Sequence, residues 1–152
     1  TGVQTCALPI YWWSENIYGE GGDDQLYGNN GKDVIYGQDG NDYINGGVDN
    51  DALYGGNGYD KIEGGVGADN IYGENDNDTL YGDSGDDNIH GGSGDDFIDG
   101  GSDNDIIKGN SGNDTIFGKS GHDNIKGGED NDLIIGNDGN DNLSGEIGRA
   151  HV

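Results

Sequence analysis

Between residues 11 and 145 the chain has no cysteine, proline, arginine or methionine. Without cysteine in that stretch there is no disulfide framework. Hydrophobic residues make up 29% of the whole, well below the usual share for a globular domain. No apolar run approaches the length of a membrane span. Cations are scarce, with 6 Lys and Arg against 31 Asp and Glu, for a formal charge of −25. A nucleic acid needs a basic face, so it is excluded as a partner. An anionic membrane surface would repel this chain as well. Low hydrophobicity with high net charge marks a polypeptide that stays unfolded unless something positive neutralises it.

What the chain has in excess is glycine, 34 residues, and a period of nine. From Gly19, every ninth residue is glycine: Gly28, Gly37 and onward to Gly127, Gly136 and Gly145. We number each unit from that glycine. Position six is always aspartate and position eight always isoleucine or leucine. Gly91 to Asp99, G-G-S-G-D-D-F-I-D, is one copy, and residues 19–144 hold 14 copies without insertion or deletion. Positions one to six are rich in Gly, Asn, Asp and Ser, which tolerate the positive φ of turns. Positions seven to nine centre on the aliphatic residue, often beside Tyr, Phe, Thr or Val, which favour strands. The spacing predicts a three-residue strand per repeat, with position eight inward and positions seven and nine outward. One aliphatic residue per repeat cannot form a core alone, so the repeats must stack.

The unit G-G-x-G-x-D-x-U-x, with U a large aliphatic residue, resembles the RTX (repeats-in-toxin, hemolysin-type) calcium-binding nonapeptide. The resemblance covers about nine-tenths of the chain. It implies an all-β fold, a parallel β-roll (β-solenoid), with two repeats per 18-residue coil. Fourteen repeats then make about seven coils, roughly 34 Å tall at ~4.8 Å per strand. Tyr18, Tyr36, Tyr54 and Tyr72, spaced by 18 at position nine, fit that coil and predict an aromatic ladder on one sheet. A different spacing appears at position four. Asp49, Asp76, Asp103 and Asp130 replace glycine every 27 residues, each within an Asp-Asn-Asp triplet. That period suits either a triangular solenoid of three repeats per coil or duplication of a three-repeat unit. Aspartate at positive φ is itself tolerated, with a part in a metal site as the other reading.

In the 18-residue coil the position-six aspartates form two columns. Asp24, Asp42, Asp60, Asp78, Asp96, Asp114 and Asp132 line one edge. Asp33, Asp51, Asp69, Asp87, Asp105, Asp123 and Asp141 line the other. Two carboxylates ~5 Å apart repel by ~1 kcal/mol even in water, and Lys32, Lys61, Lys108, Lys119 and Lys126 are too few to compensate. Calcium takes 6–8 oxygen ligands from carboxylates and carbonyls and suits such edges; magnesium demands tighter octahedral geometry. Zinc prefers His and Cys, and the repeats hold only His90 and His122. The resemblance implies metal sites formed by the 14 aspartates and turn carbonyls between adjacent turns. Twelve interior pairs imply about 12 Ca2+, whose charge almost cancels −25. It further implies a secreted, extracellular, bacterial module that folds on calcium and assists export of a larger parent, a toxin, protease, lipase or adhesin. The alternative is a structural solenoid whose outer face binds ice, a glycan or another surface.

No catalytic residue is expected. Gly82-Asp83-Ser84-Gly85 looks like a serine-protease nucleophile loop but is positions one to four of a repeat. Zinc-protease, nucleophile-elbow, Walker and EF-hand motifs are missing. Asn77-Asp78-Thr79 and Asn113-Asp114-Thr115 match glycosylation sequons only because the repeat generates them. Residues 1–10 and 146–152 share nothing with the repeat and contain Cys6, Pro9 and Arg149. Both resemble translated sequencing adapters and are expected to be non-native. The natural stretch is then 11–145, cut from a longer protein. Residues 11–18 read as a degenerate repeat, with Glu15 at position six and Ile17 at position eight. Tyr11, Trp12 and Trp13 either cap the stack or met a lost neighbouring domain.

Overall fold

The computed structural model describes residues 13–145, and every regular element among them is a strand. The fold is an all-strand parallel β-roll of about seven coils. Odd-numbered strands, from β1 (Asn16–Tyr18) through β3 (Val34–Asp39) to β15 (Asn142–Ser144), form an eight-stranded sheet. Even-numbered strands, from β2 (Gln25–Asn30) to β14 (Leu133–Asp138), form a seven-stranded one. Each strand pairs in parallel with the one two places along, always at a register of 18: Ile35 faces Leu53, and Ile98 faces Ile116. A coil is therefore two repeats, and the triangular reading of the 27-residue period is overturned. Asp49, Asp76, Asp103 and Asp130 all have positive φ, from 72° to 83°. They stand where most repeats have glycine, which accounts for their backbone role.

The core is the position-eight ladder. Ile17 and 13 further Ile and Leu residues, from Leu26 to Ile134, are buried, all but Ile17 at 0% exposure. Positions seven and nine flank it outward, so the alternation expected of strands is present. The strands are longer than the spacing predicts. Interior strands run six residues, through positions one to three of the following repeat. Position two has positive φ inside the strand, at Gly47, Gly56 and also at Gln38, Glu74 and Lys119. This bend does not end the ladder because each coil bends at the same place. The bend residues Gly101 and Lys119 still pair, and so do Ser102 and Ser120 just beyond them.

The tyrosine ladder is present on the eight-stranded sheet. Tyr18, Tyr36, Tyr54 and Tyr72 stack with centroids 5.2, 4.8 and 4.9 Å apart and rings within 11° of parallel. His90 continues the column 5.2 Å from Tyr72. At the N-terminal end, β1 pairs with β3 and Ile17 adds a rung to the core. Trp13 is 69% exposed, while Tyr11 and Trp12 lie outside the described residues.

Candidate metal centre

Position six follows the turn and precedes the strand, so the stacked coils bring its side chains into two columns. Asp24 through Asp132 are buried, at 1–4% exposure, and Asp141 is partly so. Each carboxylate uses its two oxygens differently. Oδ1 of Asp42 accepts a hydrogen bond from the backbone N–H of Asp24, one coil earlier, at 2.8 Å. The same bond recurs down both columns, for example from Asp69 N–H to Asp87 and from Asp123 N–H to Asp141. Oδ2 has no partner. Twelve aspartates, Asp24, Asp33, Asp42, Asp51, Asp60, Asp69, Asp78, Asp87, Asp96, Asp105, Asp114 and Asp123, hold a buried Oδ2 without a hydrogen bond. These are the aspartates with another position-six aspartate one coil further on. A buried, unpaired carboxylate oxygen is costly and needs a partner.

The space beside each Oδ2 is defined by position-one glycine. A Cβ added to Gly46 would lie 2.6 Å from Asp51 Oδ2 and 2.6 Å from the carbonyl oxygen of Gly64, on the next coil. Gly64 repeats this against Asp69 Oδ2 and the Gly82 carbonyl, at 2.7 and 2.8 Å. Glycine here clears a gap where a carboxylate and a carbonyl converge from neighbouring coils. Two oxygen donors of that kind suit a hard cation. No three His, Cys, Asp or Glu side chains converge among the described residues, so the remaining ligands would have to be carbonyls or water. The nitrogen donors lie elsewhere. His90 stands in the tyrosine column, and Nδ1 of His122 accepts from the Asn140 N–H at 2.9 Å. The residues present fit calcium and do not fit zinc.

Electrostatics without metal point the same way. Burial, the largest cause, pushes the carboxyls of Asp78 and Asp87 up to about 8. It pushes Asp51, Asp60, Asp105 and Asp114 up to about 7, and Asp69 and Asp96 up to about 6. The backbone N–H on Oδ1 opposes the rise, and neighbouring carboxylates such as Asp60 and Asp96 around Asp78 add to it. Asp33, Asp42, Asp123 and Asp132 are raised as well, again chiefly by burial.

One structural set goes beyond the sequence reading. Position five builds a second ladder that runs the opposite way. The Asp95 side chain accepts from the Asn113 N–H at 2.7 Å, and Asn113 accepts from the Asn131 N–H. Asp86, Asn104 and His122 do the same on the other edge. The signal was the frequency of Asn and Asp at position five, which turn propensity alone had absorbed. Gly82 to Gly85 lies within the repeat series, with Asp83 at positive φ.

Among the described residues no helix is long and apolar enough to cross a membrane. A profile for the RTX calcium-binding nonapeptide repeat matches residues 18–53, 27–62, 45–80, 81–116 and 117–149. A comparison with curated proteins returns no match. Together the profile matches span 18–149 and coincide with the two aspartate columns, so the chain belongs to the RTX calcium-binding nonapeptide repeat family.

Proposed function

We propose that this roll is a non-catalytic folding module of a secreted bacterial protein, ordered by calcium outside the cell and aiding export and stability of its parent. Ions sit between successive coils, bound by the position-six aspartates and turn carbonyls. About 12 are held, one for each buried Oδ2 that lacks a partner. That set of orphaned oxygens, each beside the next coil's carbonyl, is the observation on which the reading stands. Metal binding becomes folding free energy when the site exists only in the folded chain. Extracellular calcium modules bind at Kd of about 10⁻⁴–10⁻³ M, which leaves the chain unfolded in a low-calcium cytosol. The same reading takes 19–145 as the functional unit, 11–18 as its worn first rung, and both ends as non-native. Equilibrium dialysis with radioactive calcium counts the ions directly. About 12 per chain supports the proposal; one or two would refute it.

A further inference from the structure

Four of the chain's nine tyrosines stand in one file. Position nine of β1, β3, β5 (Ala52–Asn57) and β7 (Asn70–Asn75) carries Tyr18, Tyr36, Tyr54 and Tyr72, each directly opposite the next in register. Their rings lie within 11° of parallel, with centroids 4.8–5.2 Å apart. The strand spacing of ~4.8 Å sets this distance, so the rings stay in contact for as long as the sheet stands. Tyr18 is exposed and the other three are half-buried on the outer face. The remaining described tyrosines lack such a neighbour. Tyr27 and Tyr43 meet edge-on at 64°, Tyr81 packs against Phe97, and Tyr59 stands alone at position five, 63% exposed.

The chemistry of the file follows from what surrounds it. Between residues 14 and 145 there is no Cys, Met or Trp, which leaves the phenols as the side chains most readily stripped of an electron. A tyrosine that loses one electron and its hydroxyl proton becomes a phenoxyl radical, with unpaired spin on the ring carbons ortho to oxygen. Two such radicals combine at those carbons. The hydrogens on the two joined carbons then move to the oxygens, and the product is two linked phenols, dityrosine. Hydrogen peroxide, acting through a peroxidase, takes up the two electrons and two protons and leaves as two waters. Coupling needs two radicals to meet, so rings already held together have the advantage over rings that must diffuse.

We propose that Tyr18, Tyr36, Tyr54 and Tyr72 form a site of oxidative cross-linking, where a peroxidase with hydrogen peroxide joins neighbouring coils covalently through dityrosine. Each link ties residues 18 apart and removes freedom from the unfolded chain. The linked roll should therefore reach its folding midpoint at lower calcium. Cross-linking requires the folded roll, whichever ion folds it.

The test treats the full chain, in excess calcium, with a haem peroxidase and hydrogen peroxide. A protease that cuts before aspartate then leaves Tyr18, Tyr36, Tyr54 and Tyr72 on four separate peptides. Mass spectrometry should find dityrosine between tyrosines 18 apart in this file, in protein that runs as a monomer on a reducing gel. Tyr36→Phe/Tyr72→Phe leaves no two adjacent tyrosines in the file. It should lose these links and most of the dityrosine fluorescence, with circular dichroism confirming its β fold. Links mapped chiefly to Tyr59 or to Tyr27 and Tyr43, dityrosine found mainly between chains, or undiminished fluorescence in the double variant would each overturn the proposal. An unchanged calcium midpoint in the linked chain would overturn the stapling. The same 18-spaced links formed in chelator would sink the calcium switch and leave the cross-linking site standing.

Discussion

Asp87 divides its work between two oxygens. Oδ1 accepts the Asp69 N–H at 2.8 Å, and Oδ2 is buried without a protein partner. Two substitutions separate these roles. Asp87→Asn keeps an acceptor but removes the charge, so it should raise the calcium concentration at the folding midpoint. Asp87→Ala also leaves the Asp69 N–H buried and unpaired, a further cost of about 1–3 kcal/mol. Its midpoint should therefore lie higher still; a calcium titration of the two variants ranks them, and equal midpoints would contradict the division. Acid should do part of what calcium does. The carboxyls that burial pushes up to about 6–8 have an ordinary value of 3.8 when unfolded. A raised folded value means that the protonated roll is favoured. That stability is complete below about 4 and lost as pH rises through about 6–8. In chelator, β signal should thus grow as pH falls from 8 towards 4, and a roll more stable at pH 8 would show the sign to be wrong. Gly46→Ala puts a methyl group 2.6 Å from two oxygens and should weaken calcium-dependent folding in the same titration.

At the scale of the strand, three kinds of ladder join the coils: aliphatic residues inside, tyrosines outside, and carboxylate or amide side chains at the turns. The aliphatic ladder should dominate. Ile107 is wholly buried on its strand, and Ile107→Ala should cost about 2–5 kcal/mol, measured by urea unfolding in calcium. Asn113→Ala removes the exposed side-chain bonds from its amide Nδ2 to Asp95 and from the Asn131 N–H to its Oδ1 and should cost about 1 kcal/mol. A reversed order would contradict the ranking. The aliphatic and tyrosine ladders were legible beforehand because a single residue type recurs at one position. The second half of each strand was not. Its position-two residue has positive φ even as Gln38 or Lys119, which one repeat alone presents as a turn. Only identical bends stacked at 18 residues keep the hydrogen bonds going. The position-five ladder was hidden for the same reason, since its bonds join residues 18 apart.

For the molecule as a whole, two periods competed and packing decided between them. The 27-residue spacing of Asp49, Asp76, Asp103 and Asp130 marks where positive φ takes aspartate for glycine. The 18-residue spacing sets every strand pair and both acid columns. A thin core, one aliphatic residue per repeat, has to hold together a chain of charge −25. On the proposed reading the fold is conditional on divalent charge between the rungs, and cooperative because every interior site needs two coils. Far-UV circular dichroism at neutral pH, followed from excess chelator into millimolar calcium, tests this most directly. An unfolded spectrum in chelator and a steep, cooperative rise of β signal as calcium is added are expected. A full β spectrum already present in chelator would contradict the proposed reading.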